Sequence, residues 1–251
     1  MVTSMTLSYN GRADRREAEL NENKATDLSP PVAILWDWDN TLVDGWAGVT
    51  AALNVVFAAH DMPAWTAEDT RARARLSMQE SFAALFGDRA RDAGMLFRTS
   101  FAQTHLDHLR PMPGAEAALA AGKRWPQGVV SNKDGPFLRL EVAHLGWGGS
   151  FATVIGAGDA AADKPRPEPI WAACQAVMMN PSSRVWYIGD TALDMHAAHA
   201  AGCTAVLLGD GGHDGGMAAF QERGFVPDLC FADGFALAAS LAAAEAKMSG
   251  A

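Results

Sequence analysis

Asp37 and Asp39 stand two residues apart at the end of the apolar run VAILW (32–36), and Thr41 follows two residues later. Carboxylates this close repel and raise each other's pKa unless a cation lies between them. An ordinary acidic turn after a strand would use the same residue types, so the pair decides nothing alone. Three further polar sets recur: SNK (131–133) after GVV, Lys164 in DKPRPEP, and Asp190 with Asp194 in GDTALD. Gathered in one cleft, they suit phosphoryl transfer through a covalent aspartyl phosphate. Asp37, Asp190 and Asp194 supply negative charge for Mg²⁺, a hard ion that takes oxygen ligands. Lys164 adds positive charge for a phosphate, and the Thr41 and Ser131 hydroxyls can donate to its oxygens. Asn132 joins these as a candidate phosphate binder. Asp39, beside an ionised Asp37, is placed to carry the proton.

One cleft requires one set of strand ends. The runs VAILW, GVV (128–130), FATVI (151–155), RVWYI (184–188), TAVLL (204–208) and LCF (229–231) are short, rich in Val and Ile, and mostly closed by Gly, Asp or Ser. They read as buried parallel strands alternating with helices, which predicts an α/β fold with a doubly wound parallel sheet. Ligands of such sheets sit beyond the carboxyl ends of the strands, where the polar sets fall. Residues 45–109 carry no strand signal and read as amphipathic helices. That stretch is expected to be a small helical cap inserted after the first strand, closed by PMPG (111–114). The expected organisation is a polar N-terminal tail over 1–30, a core over 31–44 and 110–251, and the cap over 45–109.

The ordered set DxDxT, Ser131, Lys164 and GDxxxD resembles the haloacid dehalogenase superfamily of phosphohydrolases, within it the phosphoglycolate phosphatase-like group. The resemblance covers roughly residues 32 to 235. It implies Asp37 as nucleophile and Asp39 as general acid and base, the latter also ligating Mg²⁺ through its backbone carbonyl. It implies Ser131 and Lys164 as phosphate binders, Asp190 as a metal ligand, and Asp194 as metal support, direct or through water. The insert would be a mobile cap that excludes water. Asn40 stands where many relatives have glycine, and Asn tolerates left-handed geometry. Trp38 replaces a smaller apolar residue. The reading that follows is a Mg²⁺-dependent phosphatase of a small phosphorylated metabolite, with 2-phosphoglycolate as candidate. The alternatives are a phosphosugar mutase of the same superfamily and a non-catalytic phosphoaccepting or binding protein. A receiver domain would lack the second Asp, GDxxxD and the insert.

Composition narrows the partners. A net charge of −9 argues against nucleic acid and anionic membranes, and no apolar stretch is long enough for a membrane span. The N-terminal stretch lacks an apolar h-region and is not read as a secretory signal. Cys174, Cys203 and Cys230 form no CxxC pair, which suggests reduced thiols in a cytoplasm. GAGDAA (156–161) has a dinucleotide-binding spacing, but three prolines in DKPRPEP forbid the helix that must follow. GDGGHDGG (209–216) lacks the lysine of a P-loop and reads as a flexible loop. His105 with His108, and His196 with His199, read as surface or partly buried helix positions rather than metal ligands. Arg71 and Arg75 share a helix face and can meet a substrate carboxylate, though a solvated face is the commoner use. Oligomeric state leaves no mark on the sequence.

Overall fold

In the computed structural model, which describes residues 29–73 and 78–249, the first strand explains the layout. β1 (Ala33–Trp36) is buried on both faces. Ile34 and Trp36 point into one apolar layer, and Ala33 and Leu35 into the other, as the two-residue period of a strand requires. Each face must therefore be covered by helices. The other strands of this sheet are β4 (Gln127–Asp134), β5 (Thr153–Ala157), β6 (Val185–Gly189), β7 (Thr204–Leu208) and β8 (Leu229–Phe231). Their order is β5-β4-β1-β6-β7-β8, all parallel. β1 thus lies between β4 and β6, where the winding reverses, and the crevice of such a sheet opens there.

One face is covered by α5 (Ala115–Gly122), α6 (Gly135–His144) and α10 (Gly234–Ser249), through Leu119, Leu138 and Leu237. The other is covered by α7 (Glu168–Ala176), α8 (Ala192–Ala201) and α9 (Gly216–Arg223), through Ile170, Met195 and Phe220. Cys174 and Cys203 are buried in this second layer without a disulfide.

The chain leaves the core after β1 through β2 (Val43–Asp44) and returns through β3 (Arg110–Pro111). The two pair antiparallel, Val43 opposite Pro111, so exit and return lie side by side. Between them run α1 (Trp46–Ala59), α2 (Ala67–Arg73), α3 (Met78–Phe86) and α4 (Ala90–His108). These helices enclose an apolar cluster of their own, with Leu53, Val56, Phe57, Phe82, Phe86 and Phe97.

The sequence reading differs from this in three places. It did not foresee the β2–β3 ribbon, because two-residue strands carry no periodicity. β4 runs on to Asp134 with a break in register after Val130, so Ser131, Asn132 and Lys133 belong to the strand and do not follow it. α7 begins at Glu168, inside the stretch whose prolines seemed to exclude a helix. Pro169 sits in its first turn, where the missing N–H costs nothing. Residues 1–28 of the tail expected over 1–30, and Arg75, lie outside the described residues. No helix among the described residues is long and apolar enough to cross a membrane.

Candidate active site

The Asp37 N–H donates to the Ile188 carbonyl at 2.8 Å, continuing the sheet one residue beyond β1. The backbone then turns sharply. The Leu42 and Val43 N–H groups donate to the Trp38 carbonyl, and Asn40 adopts φ +61°, a left-handed conformation that Asn tolerates. Gly45 is required beside this turn, because a Cβ there would lie 2.5 Å from Oδ1 of Asp39. The turn holds Asp37 and Asp39 over the end of the sheet.

Asp37, Asp39, Ser131, Asn132, Lys164, Asp190 and Asp194 line one cleft of about 360 Å³. At its floor, Lys164 Nζ donates to Asp37 Oδ1 at 2.6 Å, to Asp194 Oδ1 at 2.7 Å and to the Tyr187 hydroxyl oxygen at 2.9 Å. The Tyr187 hydroxyl donates in turn to the Val130 carbonyl at 2.8 Å. Thr41 lies beneath, its Oγ1 3.2 Å from Asp190 Oδ1 and 3.4 Å from Asp37 Oδ2. Its hydroxyl bridges two carboxylates. Asp194 closes a capping box on α8: it accepts from the Thr191 N–H and hydroxyl, while its own N–H donates to Thr191 Oγ1. The helix-cap role and the link to Lys164 therefore coexist in one side chain.

Burial sets the electrostatics. It raises the Asp37 carboxyl to about 6, with Lys164 opposing the rise and Asp194 adding to it. Asp190 is pushed well above the usual carboxylate range by burial and by Asp194 and Asp37. Burial works against the Lys164 charge, but Asp194 and Asp37 outweigh it and hold the ammonium well above its ordinary value. Lys164 is therefore a fixed cation.

Carboxylate oxygens of Asp37, Asp190 and Asp194 lie within 4.8 Å of one another, and this is the one such group among the described residues. Three buried carboxylates face one ammonium, an excess of negative charge that a divalent cation offsets. The donors are all oxygens, as a hard cation requires. Asp194 is the most heavily engaged of the three, with Lys164 on Oδ1 and both the Thr191 N–H and hydroxyl on Oδ2, so Asp37 and Asp190 are the better direct donors and Asp194 contributes charge.

A family model described as haloacid dehalogenase-like hydrolase matches residues 34–208, which span β1 to β7 and every polar residue just described. The chain belongs to the haloacid dehalogenase-like hydrolases. It is 29% identical over 193 residues to a phosphoglycolate phosphatase of Xylella fastidiosa (strain 9a5c), covering 74% of this chain and 83% of the relative. It is 27% identical over 190 residues to a phosphoglycolate phosphatase of Pectobacterium atrosepticum, covering 72% and 81%. A haloacid dehalogenase-superfamily hydrolase from Ehrlichia chaffeensis has a similar structure, at TM-score 0.60 and 25% identity over 87% of this chain and all of that one. A protein described as a predicted phosphoglycolate phosphatase from Haemophilus somnus 129PT aligns at TM-score 0.69 and 21% identity, covering 81% and 95%. At that identity the likeness concerns the fold alone.

Several residues of this hydrolase have uses that its sequence did not disclose. Asn132 lines the cleft and holds the Lys164 backbone beside it: Nδ2 donates to the Lys164 carbonyl at 2.8 Å, and Oδ1 accepts from the Lys164 N–H at 2.9 Å. Its side chain clamps the Lys164 backbone. Lys133, two residues beyond Ser131, holds the general acid and base candidate in place. Its ammonium donates to Asp39 Oδ1 at 2.8 Å and to both oxygens of Glu141, and Glu141 also accepts from Trp38 Nε1 at 2.6 Å. The large residue between the two aspartates thus anchors the turn. Tyr187 had a signal: a lone hydroxyl in a buried strand needs a partner.

His105 is buried, against expectation. Its ring stacks on Phe101 and its Nε2 lies 3.9 Å from Glu141 Oε1. Arg71 is exposed and lines a separate pocket with Thr41, Trp46 and Asp190.

Proposed function

We propose that this hydrolase is a Mg²⁺-dependent phosphatase acting through an aspartyl phosphate on Asp37. The observation that carries the reading is the buried Asp37 carboxylate in contact with Lys164 at 2.6 Å, with Asp190 and Asp194 beside it. A Mg²⁺ ion held by Asp37 and Asp190 would supply charge neutralisation for an anionic substrate. An Asp37 oxygen attacks phosphorus, and the bond from phosphorus to the leaving oxygen breaks as the new one forms. Asp39 gives the leaving oxygen its proton. In the second step Asp39 takes a proton from water, whose oxygen attacks phosphorus. The bond to Asp37 then breaks and inorganic phosphate leaves. Lys164 stays protonated and balances charge on the phosphoryl oxygens, with Ser131 as a further donor. Lys133, fixed by Glu141, orients Asp39 towards the leaving oxygen. The cap helices shield the intermediate from bulk water.

The names of the relatives make 2-phosphoglycolate the first natural compound to test. Phosphate release from it and from p-nitrophenyl phosphate should require Mg²⁺ and stop with EDTA. Asp37→Asn should remain folded and lose essentially all turnover, since an amide is a poor nucleophile. Substantial activity in that folded variant would move the nucleophile elsewhere.

A further inference from the structure

The catalytic cleft opens on two sides that differ in chemistry. On one side Thr41 and Asp190 border a pocket of about 310 Å³ that also includes Arg71, Asp210 and Asp233. On the other, Asn132 and Lys133 form a shared wall with a larger cavity of about 560 Å³ under the cap helices. That cavity is walled by Trp65, Phe82, Phe97 and Phe101 from the cap and by Phe137 from the core. Trp65, Phe101 and Phe137 are only half-buried, so ring surface remains for a guest. Phe101 and Phe137 meet edge to face, with centroids 5.6 Å apart. The Lys133 ammonium lies 5.6 Å from the Phe101 ring centre.

Which side receives the leaving group follows from the proton. The group that protonates the leaving oxygen must lie beside it. Asp39 faces Lys133 at 2.8 Å, and Lys133 lines the aromatic cavity. An alcohol bonded to a phosphoryl group on Asp37, with its oxygen at Asp39, therefore extends past Lys133 and beneath the cap. The cavity falls within the usual range of ligand sites, about 300–1,000 Å³. Glycolate would displace on the order of three waters at about 30 Å³ each and leave the aromatic walls wet.

We propose that the preferred substrate is a phosphomonoester whose alcohol carries a sizeable apolar, ring-bearing group, packed between Trp65, Phe101 and Phe137. This rests on the phosphatase reading and selects the substrate class for it. The phosphate binds over Asp37 and Lys164, while the ring occupies the space between cap and core. Arg71, on the opposite side, does not meet the leaving group.

Phosphate release is measured with Mg²⁺ from ethyl phosphate, 2-phenylethyl phosphate, 2-phosphoglycolate and p-nitrophenyl phosphate. The first two lose similar alkoxides, so their ratio reads the ring alone. The kcat/KM for 2-phenylethyl phosphate should exceed those for ethyl phosphate and 2-phosphoglycolate by roughly ten- to a hundredfold, the effect of burying one aromatic group. Ser81→Trp, which fills the cavity from α3, should cut the phenylethyl-to-ethyl ratio by about tenfold with the melting profile retained. Phe137→Ala, which removes a wall from the core side, should lower the ratio as well. Equal rates for the ethyl and phenylethyl esters, or a preference for 2-phosphoglycolate, would overturn the proposal while turnover of p-nitrophenyl phosphate keeps the phosphatase reading. A ratio that neither variant moves would put the ring elsewhere and overturn it too. If no ester releases phosphate, the phosphatase reading itself fails, and the substrate class fails with it.

Discussion

Replacing Glu141 by Leu isolates the energetics of the Trp38–Glu141–Lys133–Asp39 chain without touching an atom that reacts. Glu141 is fully buried, and its carboxylate accepts from Lys133 through both oxygens and from Trp38 Nε1. Leucine is close in size and suits the helix, so the main loss is electrostatic. Lys133, whose side chain is 8% exposed, would keep only Asp39, which is 34% exposed. Breaking a buried pair by removing one partner costs about 3–5 kcal/mol. In a chain of this length each kcal/mol lowers Tm by roughly 2–4 °C, so thermal unfolding followed by circular dichroism should fall by roughly 6–20 °C.

The double variant Lys133→Met with Glu141→Leu should recover much of that loss, because no buried charge is left without a partner. Asp39 is open enough for water to replace Lys133. Its kcat should nonetheless stay low, since nothing then orients Asp39. The reasoning is refuted if Glu141→Leu costs under about 1 kcal/mol, the worth of an exposed pair. It is equally refuted if the double variant loses the sum of the two single losses.

Asp39→Asn should give a burst of about one equivalent of nitrophenol from p-nitrophenyl phosphate in rapid mixing, because that leaving group departs unprotonated and hydrolysis of the aspartyl phosphate stalls. The same variant should be nearly inert towards alkyl phosphates, and equal loss on both with no burst would remove Asp39 as acid and base. The metal-free protein should lose stability as pH rises from 3.8 to about 6, because native Asp37 holds its proton over that window while the unfolded chain has released it. The loss is on the order of 3 kcal/mol, at about 1.4 kcal/mol per pH unit. The increase in Tm on adding Mg²⁺ should therefore be larger at pH 8 than at pH 5, and a flat profile would contradict the burial of Asp37. Thr191→Val removes the cap of α8 and a donor to Asp194, so it should cost about 0.5–2 kcal/mol in urea unfolding and lower kcat. Unchanged kcat would show that Lys164 and the backbone N–H of residue 191 position Asp194 without the hydroxyl.

The sequence by itself was enough for the sheet, because six short apolar runs, most of them carrying Val or Ile and closed by polar residues, alternate with helical stretches as buried parallel strands do. TAVLL and LCF match β7 and β8 residue for residue. The carboxylates were legible for the same reason: Asp37 and Asp190 stand directly after β1 and β6, Asp39 and Asp194 follow within five residues of those ends, and one rule places all strand ends together. The contacts of Asn132, Lys133 and Glu141 were not legible. Glu141 is eight residues from Lys133 and 103 from Trp38, and no spacing along a chain encodes a contact made between a helix and a turn. The break in register after Val130 was equally hidden. The aromatic cavity depends on the angle at which the β2–β3 ribbon seats four helices over the sheet. Phe101 and Phe137 stand 36 residues apart on separate helices, and only the tertiary packing brings their rings together beside Lys133.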